Sequence, residues 1–220
     1  APYWVSYIEL VRMMGGVPVV VTAEESAGFK ITAQQLRDAI TPKTKAMILN
    51  NPSNPTGMVY NGEELKALVD VCVENDLYII ADEIYSCLLY DGLKFTSVAS
   101  LGEEVKKRTI LINGVSKAYA MTGWRIGYAL AEPEIIKVMS NYLSHCAGSC
   151  CTISQKAAEA ALSGSQEKIE TMRQAFEERR NYLVERMNQV EGVSCIKPEG
   201  AFYVMMNMEK LVGRTVHGQV

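Results

Sequence analysis

Three short apolar runs decide what this chain can fold into. Lys45-Ala-Met-Ile-Leu-Asn50, Leu77-Tyr-Ile-Ile-Ala81 and Thr109-Ile-Leu-Ile112 are too short to be helices, and each stops at polar residues, which reads as buried strands. Between the first two, Asn61 with Glu64 three residues on makes a helix-capping signal, and Leu65, Leu68, Val69 and Cys72 follow on one face. Strand, helix and strand in alternation predict an α/β layer fold with mainly parallel strands and right-handed crossovers. Open sheets of this kind place ligands beyond the carboxyl ends of their strands. The loops there carry Asn54, Asp82 and Lys117, which this fold would bring to one side of the sheet.

The other elements follow local signals. A short helix through Ile8, Val11 and Met14 ends at Gly15-Gly16, and Val17–Val21 reads as a β-branched strand. Thr32 with Gln35 opens a helix to about Ile40. Ile126–Ala131 is a further strand, and Pro133 starts a helix running through Ile136, Met139 and Leu143. His145–Cys151 is a connector, with His145 a loop or helix-end residue, and Thr152 with Gln155 opens the next helix. Ser165–Val190 is a long amphipathic helix whose Glu177, Glu178, Arg179 and Arg180 read as a solvated face. Gly192 ends it, and Val193–Ile196 and Ala201–Met205 read as two strands around Lys197–Gly200.

A net charge of −3 over 220 residues gives no basic surface for nucleic acid, and no apolar run is long enough to span a membrane. The six cysteines (Cys72, Cys87, Cys146, Cys150, Cys151, Cys195) show neither C-x-x-C spacing nor histidines at metal-ligand intervals, so no metal is expected. Cys72 and Cys87 read as core residues, and the usage fits a reducing, cytoplasmic environment. The chain starts Ala1-Pro2-Tyr3-Trp4 without an initiator Met and stops at Gly218-Gln219-Val220 without a closing element, which reads as an internal piece of a longer protein.

Each candidate site residue has a plain structural reading beside the chemical one. A lone lysine is most often solvated. Lys117, just beyond a buried strand, is instead placed for partial desolvation, which favours the neutral, nucleophilic amine. Asp82 can simply cap the turn after its strand, Asn54 can simply shape a rigid Pro-containing turn, and Trp4 can pack a domain edge.

Ser116-Lys117 followed by Gly123-Trp-Arg-Ile-Gly-Tyr128 resembles the Schiff-base signature of class I and II aminotransferases, pyridoxal-phosphate enzymes of fold type I. Asn54-Pro-Thr-Gly57, Asp82 with Tyr85, and Pro198 with Gly200–Tyr203 match further motifs of that family in the same order, and the likeness is strongest to bacterial aspartate aminotransferases. The resemblance implies the family's three-layer αβα large domain with a mainly parallel sheet, here residues 1–164. A long connecting helix (165–191) and the start of a small α+β domain (192–220) would follow. It makes Lys117 the catalytic residue that forms the imine with pyridoxal 5'-phosphate, and gives the cofactor phosphate to Ser116 and Arg125. Asp82 would pair with the pyridine nitrogen, Tyr85 and Asn54 would bond the phenolic oxygen, Trp4 would stack on the ring, and Asn54 and Trp4 would also meet substrate. Planar guanidinium for phosphate and a carboxylate for a protonated ring nitrogen are the residue types this chemistry needs. One departure is Gly114, where many relatives carry a serine.

The implied reaction is ping-pong amino transfer between an amino acid and a 2-oxo acid, with aspartate or a similar L-amino acid as donor. A carbon–sulfur β-lyase and a cofactor-sensing regulatory module on the same scaffold are the alternatives. Homodimerisation of the whole protein is expected, with no nucleic-acid or membrane partner. The resemblance places the glycine-rich phosphate turn and a tyrosine from the neighbouring subunit before Ala1, and the carboxylate-binding arginine after Val220. The 220-residue piece is therefore expected to bind cofactor weakly or not at all, with little activity.

Overall fold

Strands β1 (Ala46–Asn50), β2 (Tyr78–Asp82) and β3 (Thr109–Gly114) lie side by side and parallel, and β4 (Gly127–Leu130) joins β3 antiparallel. This is the arrangement of the computed structural model, which describes residues 1–214. The mainly parallel sheet flanked by helices is the α/β fold that the alternation of elements predicts. Asn50 pairs with Asp82 and Asp82 with Ile112, so the carboxyl ends of the three parallel strands form one row. That register is what brings loops distant in sequence to one edge.

Helix α1 (Ser6–Met13) precedes the sheet, as does α2 (Ala33–Ala39), which opens on the Thr32–Gln35 capping box. Helix α3 (Gly62–Glu74) links β1 to β2 and starts at a second box, in which Asn61 Oδ1 accepts from the Glu63 and Glu64 amides at 2.9 Å each. Its Leu65, Leu68, Val69 and Cys72 are buried against Met47, Leu49, Ile79 and Ala81 of the sheet. Burial at about 1.5–3 kcal/mol per large side chain makes this contact the main stabilising core. Helix α4 (Glu103–Arg108) leads into β3 and adds Val105 to the same cluster. Helices α5 (Pro133–Cys146), α6 (Thr152–Ser163) and α7 (Glu167–Asn188) follow β4, and two short strands, β5 (Ser194–Cys195) and β6 (Met206–Asn207), pair antiparallel. Residues 215–220, the end of the stretch assigned to a second domain, lie outside the described residues.

Several local expectations are corrected. Val17–Val21 is not a strand: its hydrogen bonds run only to Ala1, from the amino terminus to Val21 O, with no partner ladder among the described residues. β-branched propensity needs a neighbouring strand to act on. Val17 is 85% exposed, and Val17, Val19 and Val21 border an apolar cavity of about 820 Å³ beside Ile48 and Ile80. Ala201–Met205 is not a strand either, because its start is spent on loop docking: Ala201 N donates to Leu88 O at 2.9 Å with Ala201 at φ +56°. Cys87 is exposed on the turn after Tyr85, Cys146 still belongs to α5, and Thr152 is the first residue of α6 rather than its cap.

Arg180 is the largest departure from the helix-face pattern, since it is buried rather than solvated. Its guanidinium binds Asp91 through both carboxylate oxygens (2.8 and 3.0 Å), donates to Pro198 O at 2.7 Å, and stacks on Tyr90 with 4.7 Å to the ring centroid. Lys197 adds a third cation–oxygen contact to Asp91 at 3.0 Å. Three segments far apart in sequence are thereby pinned together. Hydrogen bonds from Arg180, then from Lys197, pull the Asp91 carboxyl from its ordinary 3.8 to about 2, against an opposing effect of burial. A carboxyl depressed in the folded state contributes stability that is fully present above its ordinary pKa and lost as pH falls through the folded value. The melting-temperature advantage of the protein over its Asp91→Asn variant should accordingly hold at pH 5 and shrink between about pH 4 and pH 2. An advantage unchanged at pH 2 would refute the ion pair as its source. The magnitude is small, because Asp91 is 47% exposed and screened by water.

Candidate active site

Lys117 stands in the loop joining β3 to β4. Val115 N donates to Ile126 O at 3.3 Å across the mouth of this loop, and the backbone then turns tightly, with Tyr119 N on Val115 O and Ala120 N on Lys117 O. Gly114 is sterically required at the crossing: a Cβ there would meet Ile126 O at 2.8 Å and Gly127 Cα at 3.1 Å. A serine at this position therefore cannot be accommodated without a shift of β4. Lys117 is half-buried, with Nζ 5.6 Å from the Phe202 ring centroid and 6.0 Å from that of Tyr85. Among the described residues Nζ forms no ion pair, so no charged partner ties the amine down beside the two rings.

Asp82, the last residue of β2, faces two donors. Its Oδ2 accepts from the Tyr7 hydroxyl at 2.5 Å and its Oδ1 from the Ile84 amide at 3.2 Å. The second contact is the turn-capping role that an acid at a strand end can play, and it leaves the carboxylate half-buried and able to accept more. Burial, then the adjacent Asp82 charge, raises the Tyr7 phenol far above its ordinary range, so Tyr7 stays a donor. The Tyr7 ring also meets Trp4 edge-on with centroids 5.4 Å apart, which places Trp4, 43% exposed, on the Asp82 side of the site.

The turn carrying Asn54 is tied to the same row of strand ends. Asn50 Nδ2 donates to Asp82 O at 2.9 Å while Asn50 Oδ1 accepts from Asn54 N at 2.7 Å. Asn54 Nδ2 reaches the Tyr203 hydroxyl at 3.3 Å, and that hydroxyl lies 2.6 Å from the hydroxyl of Tyr85. Burial pushes the Tyr85 phenol well up and keeps it protonated. Asn54, Tyr85 and Lys117 thus meet around the aromatic pair Phe202–Tyr203, and Asp82 sits beside them.

Ser116 and Arg125 form a separate, more open group. Thr122 stitches it: its hydroxyl donates to Ser116 O at 3.1 Å and its carbonyl accepts from Arg125 Nη1 at 2.9 Å. That is the only hydrogen bond of the Arg125 guanidinium among the described residues, which leaves most of its donors free. A Cβ placed on Gly123 would meet nothing within 4 Å, so the backbone beside Arg125 is open to an approaching anion.

Two residues of this cluster escape sequence reasoning about the site. Tyr7 lies on α1, where its spacing says only helix, and Tyr203 belongs to a recognised motif without a position relative to Tyr85. Glu83, buried next to Asp82, accepts from Ser97 Oγ at 3.0 Å and Val98 N at 2.9 Å and is raised above the usual carboxyl range chiefly by burial, a structural anchor rather than a site group.

The family model for aminotransferase class I and II matches residues 1–216. An aspartate aminotransferase of Geobacillus stearothermophilus is 54% identical over 206 residues, which cover 94% of this chain and 52% of that protein. One from Bacillus subtilis is 50% identical over 209 residues, covering 95% and 53% respectively. A crystal structure of the aspartate aminotransferase from Rhizobium meliloti superposes with a TM-score of 0.96 at 38% identity over 100% of this chain and 55% of its own. The chain spans about half the length of the curated relatives it matches.

Proposed function

The chain belongs to the class I and II aminotransferase family, and we propose on that premise that the whole protein moves an amino group between an amino acid and a 2-oxo acid with pyridoxal 5'-phosphate as cofactor. Aspartate or a similar L-amino acid is the proposed donor, since the relatives above are named for aspartate. The observation that carries the reading is the placement of Lys117: an amine without an ion pair among the described residues, seated over two rings at the edge of a sheet whose other loops present Asp82, Asn54 and Tyr85. This donor set fits the cofactor in chemical type. A primary amine suits an aldehyde, a carboxylate a ring nitrogen, phenol and amide donors a phenolic oxygen, and a free guanidinium with a hydroxyl a phosphate.

Pyridoxal phosphate, when bound, supplies an electron sink for the charge left at Cα as its proton departs. The chain's own groups do the rest in this reading. Lys117 Nζ is the nucleophile and afterwards the proton carrier, confined near the rings of Tyr85 and Phe202. Asp82 keeps the ring nitrogen protonated, with the Tyr7 hydroxyl fixing the orientation of its carboxylate. Tyr85 and Asn54 donate to the phenolic oxygen, Ser116 and Arg125 hold phosphate, and Trp4 offers an exposed ring face for stacking, with Asn54 and Trp4 also meeting substrate. Residues 1–164 supply the groups assigned to cofactor and substrate, and 192–220 begin a second domain reached through the helix at 165–191, with Phe202 and Tyr203 packed against those groups.

The same reading makes the whole protein a cytoplasmic homodimer. Six unbridged cysteines suit a reducing compartment, and the exposed apolar side chains of α1 and α5, among them Leu10, Met13, Val138 and Tyr142, suit a subunit contact. The test is to load the whole protein with pyridoxal phosphate, reduce with borohydride and locate the label by peptide mass spectrometry, then assay amino transfer from aspartate to a 2-oxo acid. Label on Lys117 with transfer activity is expected. Label on another lysine, or none, would refute the assignment.

A further inference from the structure

The loop that carries Tyr203 is held with unusual redundancy. Gly57 O accepts from the amides of both Glu199 (2.9 Å) and Gly200 (2.8 Å), and the Glu199 carboxylate accepts from Val59 N at 2.9 Å. Ala201, fully buried, donates its amide to Leu88 O, and its carbonyl accepts from the Tyr90 hydroxyl. Arg180 fixes the carbonyl of Pro198. All of this delivers one hydroxyl, that of Tyr203, to a point between Asn54 Nδ2 and the Tyr85 hydroxyl.

A proton count gives that placement a purpose. An amide nitrogen can only donate, so the Tyr203 oxygen is an acceptor toward Asn54. Tyr203 and Tyr85 each own a single proton, and two polarities satisfy the contact between them. If Tyr85 donates to Tyr203, it has nothing left for any other acceptor. If Tyr203 donates to Tyr85, the Tyr85 proton is free to point into the site, and the accepted bond makes it a stronger donor. Only the second polarity lets all three groups serve an anionic oxygen beside Tyr85.

We propose that Tyr203 is a positioning residue that acts through Tyr85, its hydroxyl relaying hydrogen-bond polarity from Asn54 so that the Tyr85 proton is presented to the cofactor's phenolic oxygen. The inference rests on the proposed cofactor reading and adds a residue to it. Donation to that oxygen stabilises its anionic form, weakens its hold on the neighbouring nitrogen-bound proton, and so lowers the pH at which the visible band of the loaded protein changes.

The experiment is a pH titration of that band in the whole, cofactor-loaded protein with four variants: Tyr203→Phe, Tyr85→Phe, both together, and 3-fluorotyrosine at position 203. Tyr203→Phe should raise the midpoint by about half a pH unit, as cooperative strengthening of a charge-assisted bond implies. Tyr85→Phe should raise it further, and the double variant should match Tyr85→Phe alone, because a residue acting through Tyr85 has no effect once that hydroxyl is gone. The fluorinated side chain, nearly isosteric and a stronger donor, should lower the midpoint and does not depend on Tyr203→Phe folding well. An unmoved midpoint in both position-203 variants, or full additivity in the double variant, would overturn the relay. Absence of borohydride-fixed label at Lys117 in the unmodified protein would overturn the cofactor reading and the relay with it.

Discussion

A Lys117→Ala variant of the whole protein is expected to lose at least about 10⁴-fold in amino-transfer turnover, the upper range for removing a positioned acid–base group that also serves as nucleophile. Nζ lies beside the rings of Phe202 and Tyr85, 5.6 and 6.0 Å from their centroids, and no other lysine shares that placement among the described residues. Lys30, the other lysine near a ring, is committed to Glu64 at 2.6 Å. Lys117→Arg separates charge from chemistry. A guanidinium keeps the cation over the two rings but cannot be deprotonated, so it is neither nucleophile nor proton carrier. Both variants should therefore fall together in turnover, while their melting temperatures stay within a few degrees of the parent, since a side chain at the sheet edge that forms no ion pair contributes little to folding. Steady-state turnover and equilibrium melting on the three proteins decide it. Turnover in Lys117→Arg within tenfold of the parent would show that the site needs only a positive charge here.

The sheet and the residues at its edge were legible because each depends on a local signal. Strand length, the two capping boxes and the Pro-rich turn at Asn54 act within a few positions of the residues that define them. Parallel pairing then places Asn54, Asp82 and Lys117 on one edge without further information. What was not legible depends on partners chosen by the tertiary fold. Tyr7 and Tyr203 reach Asp82 and Tyr85 across 75 and 118 positions, and nothing in either neighbourhood announces the other. Arg180 sits among charges on α7 and reads as solvated, yet the segments bearing Asp91, Tyr90 and Pro198 close over it. Val17–Val21 fails for the converse reason, since propensity without a partner strand makes no ladder.

The same dependence on distant partners makes Gly57 the most sensitive backbone position of the site. It ends the Asn54-Pro-Thr-Gly turn at φ +69°, and a Cβ there would lie 2.5 Å from Pro198 Cβ, 2.9 Å from Gly200 O and 3.1 Å from Tyr203 O. None of these is the movable tip of a long side chain. Gly57→Ala should thus cost about 2–4 kcal/mol, combining about 1 kcal/mol for a left-handed non-glycine residue with the overpacking of a rigid contact. Gly92→Ala is the control, because its φ of +74° is equally left-handed while nothing lies within 4 Å of the new Cβ, so only the backbone part should appear. The effect should also reach the chemistry. Relief of the clash moves the 198–203 loop away from the turn, and the loop takes the Tyr203 hydroxyl with it, out of reach of Tyr85 and Asn54. Denaturant unfolding of both variants, with cofactor affinity measured on each, gives the comparison. Equal destabilisation by Gly57→Ala and Gly92→Ala would mean that the loop gives way freely, and that the docking of Glu199 and Gly200 on Gly57 does not hold Tyr203 in place.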